Sequence, residues 1–194
     1  MTSWDEIADG VTGAWLLANR DVSGYGCFNV TADGFWRSFI AIPLVAPLYL
    51  YAVGAEAGIA ADGGEGGGPG AEGSALGFYL ANAIALVVEW AIYPIALALV
   101  ANTLGIARRY AVYVIAYNWS SVLIVAAFLP PVLLYDAGLV GVGGALLLNF
   151  VVMLAALYYR WFIARTALET TGALAAGLVA SDLVLSVSVN RLIT

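Results

Sequence analysis

The chain has 194 residues, 63% of them hydrophobic and 10% charged, with a mean hydropathy of +0.93, whereas a water-soluble domain carries roughly 25% charged residues. Seven arginines, no lysine and no histidine stand against thirteen acids, for a net charge of −6, so no basic face exists to neutralise nucleic-acid phosphates. The same absences exclude histidine triads, histidine metal sites and lysine Schiff bases, and Cys27, the single cysteine, permits neither an internal disulfide nor a thiolate cage.

At the N-terminus, Trp4, Ile7, Ala8, Val11, Trp15 and Ala18 recur at helical spacing while Asp5, Glu6, Asp9 and Thr12 fall on another side. This pattern predicts an amphipathic helix over 4–19, with Ser3 and Glu6 spaced as a capping box. Trp4, Ile7, Val11 and Trp15 form a face for lipid or for protein, and both remain open, because tryptophan suits either setting. Acids stand where a cleaved signal needs a basic region, so insertion without cleavage is expected. Residues 20–33 read as a loop, with Asp33 placed to cap the helix that follows.

Five apolar stretches are each long enough to cross a bilayer as a helix: about 35–53, 75–101, 110–131, 139–163 and 172–193. The first carries Pro43 and Pro47, which should kink it. It gives way at Gly54 to GAEAGIAADGGEGGGPGAEGS, a low-complexity acidic stretch read as a flexible linker, whose Asp62 and Glu65 offer only weak cation ligation. The third starts beside Arg108 and Arg109, runs through a polar notch at Asn118-Trp119-Ser120-Ser121 and is expected to stop at Pro130-Pro131. The fourth ends in Tyr158-Tyr159-Arg160-Trp161, read as an aromatic belt with a snorkelling arginine. The expected fold is therefore all-α: a polytopic integral membrane protein in which a cytoplasmic segment, 1–33, precedes a five-span bundle, 34–194. With the N-terminus in the cytoplasm and the C-terminus in the periplasm, six arginines fall inside and only Arg191 outside, as the positive-inside rule requires.

Counted at about 1.5 Å per residue, Glu89, Asn118, Asn149 and Asp182 reach the middle third of the bilayer from four different helices. An ionisable group at that depth must face protein or water, pair, or stay protonated. Asn149 continues a stripe of small residues, Gly141 and Ala145, suited to helix adhesion. Asp182, Ser186 and Asn190 line one polar face of the fifth span at i, i+4, i+8. Three roles remain open for the acids: interhelical hydrogen bonding, a proton or cation path, and a partner or lipid interface. The second usually involves a basic or histidine partner, which no position was expected to supply.

The segments GFWRSF at 34–39, NWSSVL at 118–123, WFIARTAL at 161–168 and DLVLSVSVNRL at 182–192 resemble a group of small, uncharacterised bacterial inner-membrane proteins. The architecture is also similar to the Yip1-type membrane family, although that family's tyrosine-glycine-proline element is not found near the first span. The resemblance supplies no activity, and the absent catalytic residue types, short loops and small-residue stripes lead to the expectation of a non-enzymatic accessory or organising component of a larger inner-membrane assembly, without cofactor or metal, in contact with the lipid bilayer and with other membrane subunits or further copies of itself. The alternative drawn from the residues is a small proton- or cation-coupled transporter or channel that uses the intramembrane acids.

Overall fold

In this computed structural model, residues 3–64 and 73–193 are described, and among them helices occur without strands. The expected Ser3 cap and the Glu65 half of the acidic pair lie outside the described side chains. Helix α1 (Ser3–Ala18) leads through a 3₁₀ turn (Val22–Cys27) to the short α2 (Ala32–Arg37) and then to α3 (Ala41–Asp62). Next come α4 (Ala75–Val100), α5 (Tyr110–Ala127), α6 (Leu129–Asp136), α7 (Val142–Ala167) and α8 (Gly172–Ile193). Five helical stretches are long and apolar enough to span a membrane: Ala32–Asp62, Ala75–Val100, Ala107–Asp136, Val142–Ala167 and Gly172–Ile193.

Three expected boundaries move. The first span does not stop at residue 53, because the helix runs through Gly54 to Asp62. Gly54 is a packing residue, since a Cβ there would sit 2.5 Å from the Tyr79 hydroxyl of α4. The following Ala-rich turns then keep helical backbone where a linker was expected. The third span continues past Pro130-Pro131 to Asp136, with the prolines in the first turn of α6, where a missing N–H leaves no helical bond unmade. The fourth helix starts later, at Val142, and ends later, at Ala167. Near the first span, Thr31 rather than Asp33 caps α2, accepting from the Gly34 amide at 3.1 Å, and Asp33 instead pairs with Arg37 at 2.9 Å. Pro43 falls in the first turn of α3, so Pro47 is its interior proline.

Helix α5 is the hub. Residues Tyr113 to Ser121 are all buried in succession, which a helix achieves only when neighbours surround it on every side. It packs on α1, α3 and α7, while α8 closes the ring by packing on α4 and α7. Two ends result. One holds α1, the α4–α5 and α7–α8 connections, and the Arg109–Glu169 ion pair. At the other, α3 and α6 exchange two Tyr–Asp bonds, Tyr51 to Asp136 at 2.8 Å and Tyr135 to Asp62. The first is the arginine end and the second the acidic end.

Helix α1 docks on protein through Gly10, Ala14 and Leu17, one step around from the tryptophan face. A Cβ at Gly10 would overlap the Trp119 indole, so only glycine permits this approach to α5. Tyr159 of α7 donates to the Ala14 carbonyl at 2.6 Å, and Glu6 pairs with Arg37 at 3.1 Å. Ile7 and Val11 flank the contact, while Trp4 and Trp15 stay 78% and 61% exposed. The candidate face therefore divides between protein and surroundings.

Candidate functional site: a charged cavity among the five spans

The polar notch of α5 distributes successive side chains to different neighbours, as residues about 100° apart on a helix must. Asn118, fully buried, accepts from the Trp90 indole of α4 at 2.7 Å and donates to Ser38 Oγ, just before α3, at 2.8 Å. Trp119 faces α1. Ser120 and Ser121 both turn back on the Tyr117 carbonyl, at 2.8 and 2.9 Å. Tyr117 itself reaches α8, donating its hydroxyl to the Asp182 carboxyl at 2.9 Å.

Arg160 completes this network from α7. Its guanidinium lies 3.5 Å over the Tyr117 ring, donates to Ser121 Oγ at 2.9 Å and approaches the Tyr117 carbonyl at 3.4 Å. The expectation of a snorkelling belt residue is thus corrected. Arg160 precedes Ala167 by seven residues, about 10 Å at the helical rise, and Ser121 follows Tyr110 by eleven, about 16 Å. The side chain therefore points inward, and the basic partner that the acids were expected to lack is present.

Beside the network lies a cavity of about 370 Å³ that touches all five spans. Its polar lining is Glu56 of α3, Glu89 and Tyr93 of α4, Tyr117 and Ser121 of α5, Arg160 of α7, and Asp182 and Ser186 of α8. The Ser186 hydroxyl lies near the Glu89 carboxyl. Tyr93 and Tyr117 are seven residues from the ends of their helices, so they close the cavity about 10 Å from the arginine end. Behind them Tyr113 is buried, its hydroxyl 2.8 Å from that of Tyr93. From this floor the cavity extends past Phe128 to Glu56, six residues before the end of α3. The rest of the lining is mostly aliphatic and aromatic.

Of the residues singled out in the sequence, the cavity brings together Glu89, Asp182 and Ser186. Asn118 stands one contact away, through Trp90, and serves helix adhesion. Asn149 lies elsewhere on α7, its Oδ1 buried without a hydrogen-bond partner, so the expected adhesion is not made by that atom. The cavity adds Glu56 and Arg160, neither of which was chosen from the sequence. Among the described residues no group of three or more His, Cys, Asp or Glu side chains is placed to hold a metal ion.

Five membrane-length helices around a cavity lined by acids and an arginine define a multi-pass α-helical membrane protein. The chain matches no protein-family model, no curated protein and no solved structure.

Proposed function

We propose that this protein is a small proton- or cation-coupled transporter of the bacterial inner membrane, with its substrate in the five-span cavity. One observation carries the reading: intramembrane carboxyls Glu89 and Asp182 open onto a shared space of about 370 Å³ rather than onto packed hydrocarbon, a volume in the range of roughly 300–1,000 Å³ used by small-molecule sites. Ionisable groups are costly at such depth and mark solute and proton routes. A cytoplasmic N-terminus and periplasmic C-terminus fit the arginines. Even with Arg160 removed from the count, Arg20, Arg37, Arg108, Arg109 and Arg165 belong to the arginine end and only Arg191 to the other.

The test is proton flux into liposomes holding the purified protein and a trapped pH dye, driven by an imposed potential. Wild-type protein conducts protons and Glu89→Gln does not. Equal flux in both, or none in the wild type, refutes the reading.

A second reading, an accessory component of a membrane assembly, draws on the buried and unpaired Oδ1 of Asn149 beside Gly141 and Ala145, since a neighbouring helix would satisfy it. Crosslinking in native membranes from a photoreactive residue at Leu146 or Phe150, both exposed on α7, recovers a defined product if this reading holds and only lipid adducts if it does not.

A further inference from the structure

We infer that the cavity takes a small monovalent organic cation, with its charge on Glu56 and Glu89 and its apolar body against the aliphatic and aromatic wall. This deepens the transport reading and rests on it for the passage of the ligand, though not for binding.

The cavity holds three carboxyls and one guanidinium. The guanidinium is committed, since Arg160 stacks on the Tyr117 ring and bonds Ser121 while the same tyrosine holds Asp182. That network joins one acid to the one base. Two acids remain. Glu89 has the Ser186 hydroxyl and the Asp182 carboxyl near it, neither of which brings a positive charge, and Glu56 makes no hydrogen bond or ion pair among the described residues. Tyr49 lines the same space. Half-buried carboxyls at membrane depth without a base carry a proton or are accompanied by a positive charge.

The wall then selects the kind of cation. Leu86, Trp90, Ile124, Phe128 and Val179 face the same space. A bare calcium or magnesium ion needs six or more oxygens, and no group of three His, Cys, Asp or Glu side chains is placed to hold a metal among the described residues. An anion meets three carboxyls against one guanidinium, which already stacks on Tyr117 and bonds Ser121. A neutral apolar molecule fits the wall but leaves two carboxyls unpaired. A monovalent organic cation satisfies both halves, its charge balancing one carboxylate while the second carboxyl keeps its proton, and its body taking apolar burial and the aromatic faces.

The probe is radiolabelled benzyltrimethylammonium, added to the full-length protein in nanodiscs, with neopentylbenzene as its neutral isostere and benzoate as the anion. Saturable binding is expected, displaced by unlabelled benzyltrimethylammonium and by neither control, and weakened roughly tenfold or more in Glu56→Gln and in Glu89→Gln. If the glutamine variants do not elute as monodisperse protein, Ala156→Phe carries the test, because it fills the cavity wall with both acids intact and is expected to abolish binding. No saturable binding, equal displacement by either control, or unchanged affinity in the glutamine or phenylalanine variants overturns the inference. Proton flux that persists when the ammonium probe does not bind leaves the transport reading standing and removes only this ligand class. Binding without flux does the reverse.

Discussion

Replacing Arg160 by methionine removes a charge while keeping most of the side-chain volume, and its cost depends on whether Asp182 feels that charge through Tyr117. The guanidinium sits 3.5 Å above the ring and the carboxyl 2.9 Å from the hydroxyl. With the phenol's own length between them, the two charges are roughly 7 Å apart, worth about 2 kcal/mol at an effective dielectric constant near 20. Arg160→Met alone leaves the half-buried carboxylate unbalanced and is expected to cost about 2–3 kcal/mol, below the roughly 3–5 kcal/mol of a fully buried pair. Asp182→Asn in the same background should cost much less than it does in the wild type, giving a coupling energy of about 2 kcal/mol. Thermal unfolding of the wild type, both single variants and the double variant in one detergent completes the cycle, at about 2–4 °C per kcal/mol for a chain of this size. Additivity within about 0.5 kcal/mol would refute the reasoning, because charges joined through one ring cannot act independently.

Gly10→Val forces α1 off the Trp119 indole and should cost about 1–3 kcal/mol in thermal stability, whereas Gly26→Ala, whose added carbon meets open space, should change little. Asn118→Ala strands the Trp90 N–H in the interior and should cost about 1–3 kcal/mol in the same assay, and a loss below that range would remove its bridging role. Burial pushes the Tyr25 phenol up to about 12 from an ordinary 10.0, and its hydroxyl lies 2.7 Å from Thr166 Oγ1. Folding therefore favours the neutral form, so this contribution is complete below pH 10 and disappears as pH rises through 12. Stability measured across that window should fall less steeply in Tyr25→Phe than in the wild type, and parallel curves would contradict the linkage.

The number of spans was legible because hydropathy summed over some twenty residues outweighs any single position. The residues that were missed fail for local reasons. Glu56 was assigned to a linker because Gly54 opens a glycine-rich stretch, yet Gly54 is glycine to admit Tyr79, a contact 25 residues away in sequence. Pro130-Pro131 reads as a stop and equally as a helix start, and only the neighbours of α6 decide. Asn118 could be recognised as polar and deep, but its partners Trp90 and Ser38 come from two other helices. The α1 face was drawn through its tryptophans, the largest apolar residues, although close docking selects glycine and alanine, which carry almost no weight in an amphipathic pattern.

Arg160 is the most instructive case, because sequence does contain the signal that separates it from a belt residue. Arg165, five residues on, stands two residues from the end of α7 with its guanidinium 5.4 Å from the Trp161 ring centre, which is where a belt arginine belongs. Helical side chains tilt toward their own N-terminus, and α7 runs from the acidic end to the arginine end. An arginine near the C-terminal end of such a span has to bend against that tilt to reach the near surface. Arg160 follows the tilt and goes deeper, to the depth of Ser121 and Asp182. The charge is tolerated there because a tyrosine face, a serine hydroxyl and the Tyr117 carbonyl receive it, and because an acid lies on the far side of the same ring. Reversing the direction of the helix, with the same residues at the same depth, would send that guanidinium to the surface and leave all three cavity carboxyls without a base.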